Sequence, residues 1–214
     1  MREQRYGHII WDWNGTLFDD VNWCFNVINT MLAKRGLKQL RDISDYHDVF
    51  CFPIIEYYRN VGFDFERESF ESLAAEFISL YHSNKSGNCK LHINAETALS
   101  SIFESGVSQT ILSASETNIL MSQVNEFDIA GYFDEILGIS DIYARSKLDI
   151  GRDYITRKNI KNAVLIGDTK HDYEVATALG IDCILIPNGH QSRSALSSCG
   201  VPVLDDISCV AKHI

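Results

Sequence analysis

The sequence predicts an α/β fold in which a parallel sheet is flanked by helices and a second, helical unit is inserted near the start. Short and almost continuously apolar segments recur along the chain, as is typical of strands buried on both faces of a parallel sheet. Segments with apolar residues three or four positions apart, typical of amphipathic helices, separate these strands. Residues 19–89 break the alternation, because their periodicity is helical throughout.

Outside that segment, predicted strands and helices alternate. The strands comprise residues 8–13, 109–112, 135–139, 163–166 and 182–186. The helices between and after them comprise residues 95–104, 116–125, 149–158 and 172–179. Gly106 and Gly180 follow two of these helices, where a glycine commonly ends the helix before the chain returns to the sheet. This alternation indicates the α/β class.

The helical insertion has its clearest helices at residues 23–35, 54–59 and 70–81, and it contains no convincing strand. We therefore divide the chain into a core domain of residues 1–18 and 90–214 and a cap domain of residues 19–89. The insertion is rich in aromatic residues: Phe50, Phe52, Tyr57, Tyr58, Phe63, Phe65, Phe70, Phe77 and Tyr81. Such residues are typical of the core of a small helical bundle. The alternative is an aromatic surface that binds a ligand.

Composition and charge exclude several classes of protein. The chain has 214 residues, 45% of them hydrophobic, which is typical of an ordinary globular protein. Its net charge of −10, without a run of basic residues, argues against nucleic acid or a membrane as a partner. The six cysteines form no C-x-x-C pair, and no apolar leader is visible. We expect reduced cysteines, a cytoplasmic location, and a monomer or homodimer.

The first predicted strand runs into a segment that contains Asp12, Asn14, Gly15 and Thr16. Ligands of open parallel sheets bind beyond the carboxyl ends of the strands. A carboxylate that follows an apolar strand and precedes Gly-Thr therefore lies where the active sites of such proteins are usually found. The alternative is a simple helix-capping turn, since Asp, Gly and Thr are also common in turns.

Polar residues also follow other strands. Ser113 and Ala114 come directly before a predicted helix, where a hydroxyl and backbone N–H groups suit an oxyanion. Lys147 stands at the start of another helix, where an ammonium could reach a phosphate. Asp168 and Asp172 follow the strand at residues 163–166, and such hard oxygen ligands are what Mg²⁺ selects. Taken singly, each could instead be a helix cap or a solvated surface residue.

The order and placement of Asp12, Ser113, Lys147 and the pair Asp168 and Asp172 resemble the haloacid dehalogenase superfamily. The segment around Asp12 is similar to that of phosphoglycolate-phosphatase-like members, which carry a helical cap of the C1 type after the first strand. The resemblance covers essentially the whole chain. It implies a Rossmann-like core, a small phosphorylated metabolite as partner, and Mg²⁺ as cofactor.

The resemblance also implies roles for the matching residues. Asp12 would be the nucleophile that takes the phosphoryl group, and Lys147 would steady nucleophile and phosphate. The implied phosphate-binding residues are Gly15, Ser113, Ala114 and Lys147. The implied metal ligands are Asp12, Asn14 through its backbone carbonyl, Asp168 and Asp172.

Asn14 departs from the family's pattern, because the phosphatases usually have there a second Asp that protonates the leaving group and later activates water. An amide can do neither, and losing such a group typically costs about 10²–10⁴ in rate. Three explanations remain: a substrate with a good leaving group, a substitute residue, or a slow enzyme or binding module. Candidate substitutes are His47, His171 and His190, since imidazole titrates near neutral pH.

The sequence therefore predicts a Mg²⁺-dependent phosphatase that hydrolyses a small phosphomonoester through a phosphorylated Asp12. The alternatives are a phosphotransferase or mutase of the same superfamily, and a weakly active or non-catalytic protein that binds a phosphometabolite, because of Asn14. A signalling receiver domain uses similar residues, but the helical insertion and the late acidic pair argue against it.

Overall fold

The computed structural model describes residues 5–83, 89–140 and 147–214. Residues 1–4, 84–88 and 141–146, which belong to the predicted core and cap domains, lie outside the described residues. The strands in chain order are β1 His8–Trp11, β2 Phe18–Asp19, β3 Lys90–Leu91, β4 Ser108–Glu116, β5 Glu135–Ile139, β6 Ala163–Gly167 and β7 Asp182–Leu185. Five of them form one parallel sheet with the order β5-β4-β1-β6-β7, which confirms the predicted α/β fold.

The central strand, β1, positions the site. It pairs with β4 on one side and with β6 on the other, so that Ile10 faces Thr110 and Leu165. The chain builds one half of the sheet outward from β1 and then returns to β1 to build the other half. The carboxyl end of β1 is therefore the point where the strand order reverses, and ligands bind at such a point in open α/β sheets.

Helices dominate the segment between β2 and β3. They are α1 Val21–Lys34, α2 Ile43–Val49, α3 Ile54–Asn60 and α4 Phe70–Ser83. α1 packs on α4 through an apolar centre that includes Ile28, Leu32 and Leu73. Arg35, at the end of α1, bonds to Glu68 and Glu76 at 2.5–2.8 Å. The two ends of the segment meet in the short antiparallel pair of β2 and β3.

The remaining helices cover the two faces of the sheet. They are α5 Ala95–Glu104, α6 Thr117–Glu126, α7 Leu148–Lys158, α8 Lys170–Leu179 and α9 Arg193–Ser197. Successive side chains of β1 enter different cores, because side chains alternate along a strand. Ile9 and Trp11 join the core on the side of α5 and α6, whereas Ile10 joins that of α7 and α8. No helix in the described ranges is long and apolar enough to cross a membrane.

The structure differs from the predicted elements at three places. β4 continues to Glu116, so residues 113–116 form the end of a strand, whereas the predicted strand ended at residue 112. Its pairing with β5 is irregular between Leu112 and Glu116, and residues 113–116 are small or polar, so no apolar run marks this end of the strand. Asp19 lies in a strand although none was predicted for residues 19–89, because two residues show no periodicity. α2 was not predicted; it is short and mostly polar.

Candidate active site

Four charged side chains meet beyond the carboxyl ends of β1 and β6. Asp12 follows β1, Asp168 follows β6, Asp172 lies in the first turn of α8, and Lys147 stands at the N-terminus of α7. Because β1 and β6 pair directly, their ends are adjacent. One carboxylate oxygen from each of Asp12, Asp168 and Asp172 lies within 4.8 Å of the others. We call these four residues the acidic cluster.

Lys147 joins two of the carboxylates. Its ammonium donates to Asp172 Oδ1 at 2.8 Å and also to Asp12 Oδ1. The side chain is only 2% exposed, so the interpretation of Lys147 as a solvated surface residue was wrong. A buried ammonium is stable only when anions compensate it, and these two carboxylates do so.

Hydrogen bonds from nearby groups fix the orientation of the carboxylates. Thr16 Oγ1 donates to Asp168 Oδ1 at 2.8 Å, and the backbone N–H of His190 donates to Asp168 Oδ2 at 2.6 Å. Asp172 Oδ2 accepts from the backbone and hydroxyl of Thr169 at 2.9 and 2.6 Å, which closes a capping box on α8. Asp172 thus completes the capping box of α8 through Oδ2 and bonds to Lys147 through Oδ1.

The charges of the acidic cluster do not balance. Burial raises the pKa of Asp12 to about 8; Lys147 opposes this, while Asp172 and Asp168 add to it. Burial also raises the pKa of Asp168, to about 6. Asp172 behaves differently: burial alone would raise its pKa, but the contact with Lys147 lowers it below the usual range. Lys147 bonds to only two of these three carboxylates, and nearby His190 opposes the rise at Asp168 without cancelling it, so a further positive charge would stabilise the ionised forms.

This imbalance fits a divalent cation. The donor set consists of carboxylate oxygens, which hard cations such as Mg²⁺ prefer. Asp12, Asp168 and Asp172 could therefore hold such an ion. The backbone carbonyl of Asn14 remains a predicted fourth ligand.

Gly15 allows the chain to turn tightly next to the acidic cluster. It has φ +76°, a conformation that favours glycine, and a Cβ there would collide with Asp168 and His190. Its N–H donates to the carbonyl of Phe18 at 2.8 Å. The structure thus gives Gly15 a steric role, and its phosphate-binding role stays a prediction.

The predicted phosphate-binding residues of β4 lie across from the acidic cluster. Ser113 is buried, and its Oγ accepts the backbone N–H of Ser115 at 3.0 Å. Ser113 and Ala114 line the same cavity as Asp12 and Lys147. The phosphate-binding roles of Ser113 and Ala114 stay predictions, and their place in the same cavity as Lys147 is compatible with them.

Asn14 belongs to a second group of contacts, which we call the Asn14 network. Its amide nitrogen donates to Asp20 Oδ2 at 2.8 Å, and its amide oxygen accepts from Ser115 Oγ at 2.6 Å. Tyr81 also donates to Asp20 Oδ2, at 2.8 Å. His190 completes the network, with Nε2 at 3.3 Å from Asp20 Oδ1, close enough for an ion pair although the two are not aligned as a hydrogen bond.

His190 is charged in this environment. Burial alone would lower its pKa, but the carboxylates of Asp20, Asp168 and Asp12 raise the pKa of His190 to about 9. Its Nδ1 lies 2.8 Å from the hydroxyl of Tyr46, so both ring nitrogens have a neighbour. Burial likewise opposes the ionisation of Asp20, yet His190, Asn14 and Tyr81 hold its pKa below the usual range.

The three candidate substitutes for an acid or base differ in position. His171 and His190 line the cavity. His47 bonds through Nε2 to the carbonyl of Gly189 at 3.0 Å, and it is not among the residues described as lining the cavity. The ring of His171 stacks on Phe52 with centroids 4.5 Å apart, and its Nε2 has no hydrogen-bond partner among the described residues.

A cavity of about 190 Å³ lies between the sheet edge and the inserted helices. Asp12, Asn14, Ser113, Ala114, Lys147 and Asp172 lie on the sheet side. The residues contributed by the inserted segment are mostly aromatic: Tyr46, Phe50, Phe52, Tyr57, Tyr58, Phe70, Phe77 and Tyr81. One end of the cavity is thus charged and the other apolar. The interpretation of these aromatic residues as bundle core is correct only in part, because they also form a wall of the cavity.

Sequence analysis did not single out Asp20 or Tyr46. Asp20 is only 1% exposed and lines the cavity together with Asp12 and Tyr46. A signal was present, since Asp20 follows Asp19 at the predicted junction of the two domains. Tyr46 gave no signal, because it lies in α2, which was not predicted.

The fold places a group of buried carboxylates beyond the ends of parallel strands, which is where α/β enzymes bind their ligands. The chain belongs to the haloacid dehalogenase-like hydrolases, whose family model matches residues 9–186. No curated protein sequence matches the chain.

Solved structures with the same fold are distant in sequence. A predicted phosphatase from Clostridium acetobutylicum is 22% identical with a TM-score of 0.82, and the match covers 98% of both chains. A haloacid dehalogenase-like family hydrolase from Streptococcus pneumoniae is 18% identical with a TM-score of 0.84, again over 98% of both chains. A predicted phosphoglycolate phosphatase from Haemophilus somnus is 16% identical with a TM-score of 0.79 over 98% of both chains.

Proposed function

We propose that this hydrolase is a Mg²⁺-dependent phosphatase that cleaves a small phosphomonoester through a phosphoryl group carried on Asp12. The observation that carries the proposal is the buried contact of Lys147 with both Asp12 and Asp172, at the floor of a cavity of about 190 Å³. The printed names of similar structures, among them a predicted phosphatase and a predicted phosphoglycolate phosphatase, agree with it.

Each residue has a chemical task in this reaction. Asp12 attacks phosphorus, the bond from phosphorus to the ester oxygen breaks, and the oxygen leaves with the electron pair. Lys147 holds a positive charge beside the attacking oxygen, and Ser113 and Ala114 face the phosphate oxygens. Mg²⁺ supplies, when bound, the further positive charge that lets Asp12 ionise and that offsets the charge of the phosphate. Water then attacks the same phosphorus and frees Asp12.

The inserted helices exclude bulk water from the floor of the cavity. Asp12 is 9% exposed and Lys147 only 1%, so their electrostatic interactions are stronger than in water. The cavity also limits the substrate to a small molecule.

Asn14 favours a second candidate, a protein that binds a phosphometabolite and hydrolyses it slowly or not at all. Its amide is held between Ser115 and Asp20 and cannot give a proton to the leaving group. Binding without turnover would distinguish this candidate.

The test is phosphate release from a panel of phosphomonoesters, with Mg²⁺ and with EDTA. We expect turnover only with Mg²⁺, and a loss of about 10⁴-fold or more in Asp12→Asn, because a nucleophile has no substitute. Asp149→Asn is the matched control, since the side chain of Asp149 is 92% exposed, and it should retain full activity. Turnover that persists in Asp12→Asn would refute the proposal. Phosphate binding without turnover would support the second candidate instead.

A further inference from the structure

The wall of the cavity that faces the acidic cluster is aromatic. Rings of Phe50, Phe52, Tyr57, Phe77 and Tyr81 line it, and neighbouring rings contact one another at angles from stacked to perpendicular. Aromatic side chains bind other aromatic rings in such offset and edge arrangements. The cavity of about 190 Å³ is similar in size to one of about 150 Å³ that holds benzene. This volume includes the phosphate site, so it limits the leaving group to about one ring.

The charges of the wall disfavour a second anionic group. Among the described residues that line the cavity, Lys147 is the only lysine or arginine, and its ammonium already bonds to Asp12 and Asp172. The imidazole of His190 also lines the cavity, but its Nε2 already faces Asp20 Oδ1 at 3.3 Å. Asp20 and Glu116 add carboxylates to the lining. A leaving group that carried its own carboxylate or second phosphate would meet like charge there.

Asn14 independently limits which leaving groups the site can expel. With its amide engaged by Ser115 and Asp20, nothing at this position can protonate the departing oxygen. A phenol leaves as its anion much more readily than an alkanol does, since phenols titrate near pH 10. The absence of an acid at Asn14 and the aromatic wall of the cavity thus both favour an ester of a phenol.

We propose that the substrate is an aryl phosphate, a phosphate monoester of a phenol without a second anionic group. This inference rests on the proposed function and narrows it. Asp12 forms a bond to phosphorus, the bond from phosphorus to the aryl oxygen breaks, and the phenolate takes the electron pair and later a proton from solvent. Water then releases inorganic phosphate from Asp12. The ring of the leaving group lies against the aromatic wall, beside Phe77.

The first experiment compares kcat/KM for phenyl, benzyl and cyclohexyl phosphate and for phosphoglycolate, all with Mg²⁺. We expect phenyl phosphate to exceed cyclohexyl phosphate by about 10²-fold or more, because the latter needs a proton on its leaving group. Benzyl phosphate keeps the ring but leaves as an alkoxide, so it should keep the KM of phenyl phosphate and lose kcat. Phosphoglycolate should be the poorest substrate.

The second experiment measures binding, without turnover, of three phosphonates by calorimetry. Phenylphosphonate should bind up to about tenfold more tightly than methylphosphonate or phosphonoacetate, since a well-placed aromatic pair strengthens binding beyond area burial. Equal binding of phenylphosphonate and methylphosphonate would overturn the role of the aromatic wall.

A variant pair locates the ring site. Phe77 is partly exposed to the cavity and stacks on Tyr81 with centroids 6.1 Å apart. Phe77→Ala should weaken phenylphosphonate about tenfold and leave methylphosphonate unchanged. Phe103→Ala is the control, because Phe103 lies in α5, is 55% exposed and contacts Tyr132. Far-ultraviolet circular dichroism verifies that both variants fold.

The outcomes separate this inference from the proposed function. Turnover of phosphoglycolate or cyclohexyl phosphate that equals turnover of phenyl phosphate would overturn the aryl assignment and leave the phosphatase intact. Absence of turnover for the whole panel would refute the phosphatase, while the phosphonate series would still decide whether the wall recognises a ring.

Discussion

The acidic cluster and the Asn14 network are both buried at the same cavity, but they differ in charge balance. In the acidic cluster, three carboxylates lie together, and Lys147, the one cation of the cluster, bonds to two of them, Asp12 and Asp172. In the Asn14 network, the one carboxylate, Asp20, faces a charged His190 and accepts bonds from three neutral donors, Asn14, Tyr81 and Cys24.

The difference explains which group can act. Burial and like charge raise the pKa of Asp12 to about 8 although Lys147 opposes them, so a further cation would stabilise the ionised form of this carboxyl group. The pKa of Asp20 is lowered, because His190 and neutral donors already satisfy it. An unbalanced site is ready to bind ions, whereas a balanced one holds its geometry. The two groups therefore separate chemistry from positioning.

Removing the one cation of the acidic cluster should have the largest effect. Lys147→Met leaves Asp12 and Asp172 buried without their partner, and breaking a buried pair typically costs about 3–5 kcal/mol of stability. We expect that loss in the free energy of unfolding measured with urea. Added Mg²⁺ should recover part of it, since the ion replaces the missing charge.

The matched control is Lys158→Met. Lys158 pairs with Glu135 at 2.9 Å, but its side chain is 45% exposed. Exposed pairs contribute at most about 1 kcal/mol. If both variants lost the same free energy of unfolding, Lys147 would not compensate the buried carboxylates of the acidic cluster as described above.

Adding a carboxylate to the Asn14 network should have the next largest effect. In Asn14→Asp the new group faces Asp20 Oδ2, 2.8 Å from the atom it replaces, so one of the two carboxyl groups must stay protonated. That proton is what a leaving group needs. We expect hydrolysis of cyclohexyl phosphate to rise by about 10²-fold and that of phenyl phosphate to rise much less.

The comparison variant is Asn14→Ala, which breaks the contacts to Ser115 and Asp20 without adding an acid. It should accelerate neither ester. Equal acceleration of both esters by Asn14→Asp would show that another residue, such as His171 in the cavity wall, already supplies the proton.

The sequence was informative wherever a residue follows a strong strand. Asp12 and Asp168 could be predicted because apolar runs mark β1 and β6, and parallel strands bring their ends together. The sequence also singled out Lys147 and Asp172, although the contact between them depends on how α7 and α8 pack. That packing is tertiary, so no local pattern could reveal it.

The Asn14 network could not be predicted, since it joins residues from separate elements. Asp20 precedes α1, Tyr81 lies in α4 and His190 lies beyond β7. Only the close approach of the inserted helices to the sheet edge brings them together. For the same reason, aromatic spacing in the insertion could not distinguish a bundle core from a cavity wall, because one ring can serve both.

The smallest effect concerns the pH dependence of stability. The folded state keeps His190 protonated up to a pKa of about 9, whereas an unfolded histidine titrates near pH 6.5. The contribution of the pair with Asp20 is therefore complete below about pH 6.5 and is lost as the pH rises through about 9. Wild type should lose about 1–2 kcal/mol of unfolding free energy between pH 7 and pH 9 that His190→Gln does not lose. Urea titrations at both pH values measure the difference between the two proteins. Parallel losses in both would mean that Asp20 does not hold the charge of His190, and the contrast between a balanced and an unbalanced group would fail.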